Sequence, residues 1–341
     1  MLFTKKSEII SVKTCSLFVK PKVRKDNFNS KDNMFPAVIK PWIVSLRLRT
    51  LPLSASCIIM GSFLAAYKGN FDFVVLILAL VTTLLLQILS NLSNEYGDMV
   101  KGTDSAGRVG PERSIQRGEL TLPQMKNGML LTAIITSVTG TALVIYATEV
   151  FYTLIFILAG IAAIIAAVKY TVGEKPYGYR AMGDLFVFIF FGPVGVTGTF
   201  FLHSGFISAD IFFPSMTSGL ISVAVLNLNN MRDTENDLKH GKITLAILLG
   251  NKESRLYHLL IISVAITASV IFAALNSFSA VKYIYLVTFI PLIMSLFKVL
   301  KYTDPSSLDP ELKKTAVSNL LHTIVFGIVL LIRKIKKFSL K

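Results

Sequence analysis

The chain has 341 residues, of which 53% are hydrophobic and 16% are charged, and its mean hydropathy is +0.62. This composition excludes a disordered protein, which needs low hydrophobicity and high charge, and argues against an ordinary soluble domain, in which about a quarter of the residues are charged. The net charge of +15 is not arranged as a basic stripe with interleaved aromatic residues, so we expect no nucleic-acid partner.

The first 40 residues are rich in lysine and lack the apolar core of a secretory signal. We interpret residues 1–40 as a disordered basic leader that can touch anionic lipid, or as sequence upstream of a translation start at Met34. Residues 41–335 are then the membrane domain, and residues 336–341 form a short basic tail.

Nine windows without Asp, Glu, Lys or Arg follow along the chain. All but one reach the roughly 17 to 25 residues that a helix needs to cross a bilayer, and none alternates as a barrel strand would. The short window, 283–297, follows a long one, 256–281, and Asn276-Ser277 near the end of the long window is a natural turn between two helices. The sequence therefore predicts an all-α polytopic membrane protein with about nine transmembrane helices. The windows are 50–67, 73–94, 127–148, 150–168, 185–209, 211–231, 256–281, 283–297 and 315–332.

The basic residues are distributed unevenly between the two sides of the membrane. If all nine windows span, 28 of the 35 Lys and Arg residues lie on the side of the N-terminus. The positive-inside rule then places the N-terminus and four basic loops in the cytoplasm. The basic C-terminal residues are discordant, because nine spans place them outside.

Polar clusters follow the second and sixth windows, on the predicted cytoplasmic side. Spacings of three and four residues within each cluster place its members on one helix face. Carboxylates at the edge of a membrane repel one another and are costly to desolvate, and a divalent cation offsets that cost. Ligand sets made of oxygen alone favour Mg²⁺, which bridges carboxylates to substrate phosphates. The alternative is a set of solvated acids that cap helix ends. The predicted ligands are Asn94, Asp98, Asp104, Asn230, Asp233 and Asp237.

Two basic loops accompany these clusters. The loop after the second window holds Arg108, Arg113 and Arg117 among Gly and Pro, and guanidinium groups bind phosphate oxygens bidentately. Lys175, beside Pro176 in the loop after the fourth window, is a second predicted phosphate contact. Tyrosines of that loop could stabilise a cation near the site, or could form an interfacial aromatic belt. The arginines could equally reflect positive-inside charge alone.

The two clusters resemble the Asp-rich motifs of the UbiA superfamily of membrane prenyltransferases. The matching stretches are 94–98 with Asp104, and 230–233 with Asp237. Residues 49–52, 108–111, 170–179 and 237–250 are more similar to its 1,4-dihydroxy-2-naphthoate polyprenyltransferase branch, which acts in menaquinone synthesis. The chain departs from the family at Glu95, where Asp is usual, and Asp104 is spaced more widely from Asp98 than in hydroxybenzoate enzymes.

The resemblance implies nine helices around a lipid-accessible cavity, with Mg²⁺ as the cofactor. It implies transfer of a polyprenyl group from its diphosphate to 1,4-dihydroxy-2-naphthoate, with loss of CO₂ to give demethylmenaquinone, in a bacterial plasma membrane. We expect Asn94, Asp98, Lys175, Asp233 and Asp237 to be catalytic. We expect Lys101, Arg108, Arg113, Arg117, Lys175 and Arg232 to contact the diphosphate.

Three alternatives remain open from the sequence. A sister-branch enzyme could use another aromatic acceptor, such as 4-hydroxybenzoate, or make haem O or chlorophyll, and would share the same acidic motifs. A polytopic transporter also places acids in a membrane, but it should show polar residues at the midplane of interrupted helices. A structural scaffold would not need paired acidic faces.

Overall fold

The computed structural model describes residues 34–104 and 109–338, and within these the side chains of 39–104 and 109–332. Most of the predicted leader, Arg108 and the last three residues of the predicted tail lie outside the described residues. The first helix begins at Met34, so it overlaps the end of the predicted leader. The last helix continues through the beginning of the predicted basic tail.

Most of the described residues are helical, and the longer connections follow α3 and α5. Helix α6 continues through a π-helical segment, Phe190–Thr197, into α7, and a 3₁₀ segment, Ala280–Phe289, precedes α11. The helices are α1 Met34–Leu46, α2 Leu51–Lys68, α3 Phe73–Val100, α4 Leu122–Ala147, α5 Val150–Lys169, α6 Gly183–Ile189, α7 Gly198–Ser204, α8 Phe212–Lys239, α9 Leu245–Leu249, α10 Asn251–Leu275, α11 Ile290–Lys301 and α12 Leu308–Phe338.

Nine helical stretches in the described part of the chain are long and apolar enough to cross a membrane. This confirms the predicted all-α polytopic fold and its number of spans. The predicted turn at Asn276-Ser277 also lies between two of these stretches, and Ser277 adopts a positive φ of 50° there. Local sequence explains several helix starts: Asp72 accepts hydrogen bonds from Val74 and Val75, and Thr121 forms a capping box with Gln124.

The fifth span departs from the regular helix that the sequence predicts over 185–209. Its middle is π-helical and contains Pro193, which removes a backbone donor from the ladder. The glycines here allow close packing, because a Cβ on Gly192 would lie 2.8 Å from the Ser215 carbonyl oxygen and one on Gly195 would lie 2.9 Å from Cys57 Sγ. The irregular segment is thus enclosed between α2 and α8.

The spans differ in how deeply they are buried. Of the most apolar window of each span, 72% is buried in the span that contains α8, whereas none is buried in α5. Leu154 and Leu158 on α5 are largely exposed, as expected for side chains that face lipid. The helix carrying the second acidic cluster therefore lies at the centre of the bundle.

The C-terminal end of α3 is fixed against the loop that follows α5. Thr171 donates through Oγ1 to the Ser93 carbonyl at 2.8 Å and to Asn94 Oδ1 at 3.2 Å. A Cβ on Gly97 would lie 2.6 Å from the Thr171 carbonyl oxygen. Only a residue without a side chain allows this approach, which holds Asn94 and Asp98 in place.

We expect Gly97→Ala to lower the free energy of unfolding by about 1–3 kcal/mol, since the added methyl group meets backbone that must move. The matched control is Gly160→Ala in α5, where a Cβ would meet nothing within 4 Å and the substitution should be neutral or stabilising. Thermal unfolding of both variants in detergent micelles measures the difference. Equal midpoints for the two variants would contradict this packing.

Candidate active site

A cavity of about 620 Å³ opens within the bundle. Its walls are mainly apolar, and its charged residues gather at the end formed by the C-terminal turns of α3. Ala79 and Asp98 both line it from α3, so at 1.5 Å per residue it extends about 28 Å along that helix. The charged residues that line it are Arg47, Arg49, Asp98, Arg113 and Lys242, and Asn91, Asn94 and Asn229 line it as well.

Asp98 is held at the end of this cavity by two partners from loops. Its Oδ1 accepts a hydrogen bond from the Tyr179 hydroxyl at 2.8 Å, and its Oδ2 lies 2.9 Å from Arg113 Nη1. The same Arg113 nitrogen lies 2.8 Å from Asp104 Oδ2 and donates to the Asn94 carbonyl at 2.9 Å. One guanidinium group thus gathers the first acidic cluster.

Arg113 remains charged although it is buried. Burial acts to lower the pKa of its guanidinium, but Asp98, Asp104 and Glu95 together raise that pKa above its ordinary value. Glu95 also accepts a hydrogen bond at 2.9 Å from the backbone N–H of Ile115. Glu95 therefore fixes the loop that carries Arg113, and it is absent from the cavity wall.

The second acidic cluster is organised around Arg232, whose side chain is fully buried. Its guanidinium donates to both oxygens of Asp233, at 2.9 and 2.7 Å, and to Asn229 Oδ1 at 2.9 Å. It also pairs with Asp309 of α12, and Arg49 contacts Asp309 at 3.1 Å. These pairs connect the second cluster to α12 and to the segment before α2.

Lys242 connects the two acidic clusters. Its ammonium lies 3.2 Å from Asp237 Oδ2 and also interacts electrostatically with Asp98 and Asp233. Burial acts to lower the pKa of Lys242, but the three carboxylates raise it overall. Because one ammonium interacts with carboxylates of α3 and α8, the two clusters converge at the same end of the cavity.

The oxygen-rich donor set fits a hard divalent cation that retains water and substrate ligands. Among the described residues, no group of three or more His, Cys, Asp or Glu side chains is close enough to hold a metal alone. Asp237 Oδ2 accepts no hydrogen bond from a described residue, although the Lys242 ammonium lies 3.2 Å from it as an ion-pair partner. A carboxylate oxygen that accepts no hydrogen bond can bind a metal ion that also binds substrate phosphates.

The structure brings most of the predicted site residues together, but not all. Asn94 and Asp98 line the cavity, Asp104 contacts Arg113, and Asp233 and Asp237 are buried beside Arg232 and Lys242. Asn230 is also buried, but its neighbour Asn229 is the residue that lines the cavity.

The remaining predicted phosphate contacts lie elsewhere. Lys101 and Lys175 line a smaller pocket, separate from the cavity. Arg117 is exposed and pairs with Glu119 at 2.8 Å. Arg108 lies outside the described residues.

Sequence reasoning missed Asn229, Lys242 and Tyr179. A signal for Asn229 existed, because 229, 233 and 237 are spaced by four and share one helix face. Lys242 and Tyr179 reach the site from loops, and nothing in their local spacing indicates an acidic partner. For Tyr179, burial and then the charge of Asp98 raise the pKa of the phenol, so its hydroxyl remains a donor.

Comparisons with known proteins agree with this geometry. Residues 54–329 match the sequence profile of the UbiA prenyltransferase family. The chain is 40% identical to a 1,4-dihydroxy-2-naphthoate octaprenyltransferase of Haemophilus influenzae, with 86% of this chain and 96% of that protein aligned. It is 38% identical to the Escherichia coli protein of the same name, with 84% and 93% aligned.

Solved structures show the same fold. A UbiA homologue from Aeropyrum pernix superimposes with a TM-score of 0.62 at 16% identity, covering 84% of this chain and 99% of that one. A homologue from Archaeoglobus fulgidus, solved with geranyl diphosphate (GPP) and Mg²⁺, gives a TM-score of 0.53 at 15% identity, covering 82% and 98%. On the profile match and the similarity to the two octaprenyltransferases, this chain belongs to the UbiA prenyltransferase family.

Proposed function

We propose that this protein transfers a polyprenyl group from its diphosphate to 1,4-dihydroxy-2-naphthoate, with Mg²⁺ as cofactor. The observation that carries the proposal is the convergence of two acidic helix ends on one long apolar cavity. The cavity suits an isoprenoid tail, and the acidic end suits a metal-bound diphosphate. The naphthoate acceptor is supported by the names of the relatives that match nearly their full length.

Mg²⁺ would be held by Asn94, Asp98, Asp233 and Asp237, with Asp104 and Asn230 as further predicted ligands. When bound, Mg²⁺ offsets the negative charge that builds on the departing diphosphate. Arg113, Arg232 and Lys242 supply additional positive charge at the same place. Because that charge is greatest in the transition state, these groups accelerate ionisation rather than only binding the donor.

The reaction requires an allylic cation to be shielded from water. Aromatic rings that line the cavity form a continuous series, with centroids 5.3 Å apart for Tyr170 and Tyr177 and 4.2 Å apart for Tyr177 and Phe186. Their faces can stabilise the cation until the electron-rich naphthoate ring attacks it. The bond from carbon to the diphosphate oxygen breaks, a carbon–carbon bond forms, and the ring carboxylate departs as CO₂.

The excess of basic residues on one side supports an orientation with the acidic clusters facing the cytoplasm. The bacterial relatives support a plasma-membrane location. The tail of the donor would lie among the helices, in contact with lipid. The second substrate would enter where the cavity is polar.

Asp98→Asn and Asp233→Asn should each reduce prenyl transfer by about a thousandfold, or ~4 kcal/mol of transition-state stabilisation, because each removes a charged ligand. Glu112→Gln, an exposed acid in the Arg113 loop, is the matched control. Product formation in membranes at saturating Mg²⁺ measures the effect. Activity near the wild-type level in a folded Asp98→Asn variant would contradict the metal assignment.

Tyr179→Phe should raise the Mg²⁺ concentration needed for half-maximal activity by about tenfold, because it removes the hydroxyl that orients Asp98. Tyr177→Phe is the control on the same loop, since the Tyr177 hydroxyl donates to the Ala166 carbonyl instead. A titration of activity against Mg²⁺ separates the two variants. An unchanged requirement in Tyr179→Phe would show that Asp98 needs no such support.

The direct test incubates membranes with an all-trans polyprenyl diphosphate, 1,4-dihydroxy-2-naphthoate and Mg²⁺, followed by mass spectrometry of the lipid extract. We expect a product with the mass of demethylmenaquinol, or of demethylmenaquinone where air oxidises it during extraction, and we expect EDTA to abolish it. If a parallel reaction forms prenylated 4-hydroxybenzoate and no naphthoate product appears, the enzyme is a prenyltransferase of a different branch and the proposed acceptor is wrong. No product from any aromatic acceptor would overturn the proposal.

A further inference from the structure

A second, smaller pocket of about 400 Å³ lies where the loops after α3, α5 and α8 meet. Three basic side chains from lysine and arginine line it, whereas the lining contains a single acid, Glu174. Lys175 and Arg180 are exposed, and Lys101 is partly buried. The lining consists of Lys101, Glu174, Lys175, Pro176, Tyr179, Arg180, His240 and Gly241.

Tyr179 lies between this pocket and the large cavity. It lines the small pocket, while its hydroxyl is bonded to Asp98, which lines the cavity. Lys101 of the pocket and Lys242 of the cavity lie 5.5 and 5.8 Å from the centroid of its ring. A single aromatic side chain and two ammonium groups therefore connect the acidic site to the basic pocket.

The prenyl donor and the inorganic diphosphate released from it differ in solubility. The donor carries an isoprenoid tail and can enter through apolar, lipid-contacting walls. Inorganic diphosphate has no tail and several negative charges, and transferring such an ion into an apolar environment is very costly. It must therefore leave through a polar opening, and cations along that opening would lower the barrier.

We propose that the basic pocket binds inorganic diphosphate as this product leaves the active site for water. This inference rests on the proposed function, because it takes its ligand from that reaction. Diphosphate leaving the acidic clusters meets Lys242 first, then passes Tyr179 to reach Lys101, Lys175 and Arg180. Since Lys175 and Arg180 are exposed, solvent screening keeps the affinity modest, as release requires.

Binding can be measured without turnover. The purified protein, in a neutral detergent with EDTA, is titrated with radiolabelled inorganic diphosphate by equilibrium dialysis. Removing divalent metal weakens binding at the acidic clusters and leaves binding at the pocket. The test variant is the double substitution Lys101→Gln with Arg180→Gln, and Arg180→Gln alone is included because its side chain is exposed.

Two controls locate the ligand. Lys252→Gln removes an exposed charge at the start of α10, away from the pocket lining. Asp233→Asn alters the second acidic cluster and leaves the pocket lining unchanged. We expect metal-independent binding in the wild type, in Lys252→Gln and in Asp233→Asn. We expect the double variant to bind about tenfold more weakly and Arg180→Gln to be intermediate, because charged contacts are lost.

Several results would overturn the inference. These are no binding in EDTA, binding that the double variant retains in full, or binding that becomes tighter in Asp233→Asn, as loss of that negative charge would cause for an anion held at the acidic cluster. A phospholipid headgroup presents the same phosphate chemistry, so the titration is repeated in nanodiscs with and without phosphatidylglycerol. Displacement of diphosphate by phosphatidylglycerol would identify a lipid site instead.

The role in release has its own readout. If the pocket receives the product, the double variant should show a lower ratio of steady-state to single-turnover rate than wild type. It should also need a higher concentration of added inorganic diphosphate for product inhibition. An unchanged ratio and an unchanged inhibition constant would contradict a role in release. If instead the wild type forms no prenylated product but binds diphosphate in EDTA, the proposed function fails while the pocket remains an anion site.

Discussion

The structure depends on the pairing of buried carboxylates with buried cations at the C-terminal ends of α3 and α8. Asp98, Asp233 and Asp237 each have a partner, which is Arg113, Arg232 and Lys242 respectively. An unpaired charge in these places would cost several kcal/mol, because water is largely excluded from them. The loops that supply Arg113 and Lys242 are consequently held at the mouth of the cavity, so the same charges fix these loops and define the site.

These pairs also suit the proposed chemistry. If Asp98, Asp233 and Asp237 held Mg²⁺, the metal would offset their negative charge, and Arg113, Arg232 and Lys242 would become available to the diphosphate oxygens. Binding of substrate and metal would then leave no buried charge unpaired. Arg232 can exchange Asp233 for diphosphate while keeping Asp309, which explains why an acid from α12 belongs to a site built mainly on α3 and α8.

Features that depend on local sequence patterns could be predicted, whereas contacts between segments distant in the sequence could not. Nine apolar windows, the turn at Asn276-Ser277 and the two acidic helix faces follow from charge and spacing along the chain. The π-helical segment was missed because its cause is the close approach of α2 and α8 to Gly192 and Gly195. Asn230 was predicted as a ligand, whereas Asn229 lines the cavity. Three-residue and four-residue spacings are equally compatible with one helix face, so spacing alone did not determine which of the two faces the cavity. Lys242 pairs with Asp237, five residues earlier near the end of α8, yet its electrostatic interaction with Asp98 depends on how α3 and α8 meet.

The sequence motifs that contain Lys101 and Lys175 did not indicate where these two side chains lie. Both were predicted to contact diphosphate, and their position in a basic pocket beyond Tyr179 keeps that chemistry while moving it away from the cavity. An enzyme in a membrane that splits a lipid-soluble donor into a lipid product and a water-soluble anion needs two kinds of surface. The apolar cavity provides one, and a cationic pocket facing water provides the other. Two sets of basic residues close to one acidic site are therefore what the difference in solubility between the two products requires.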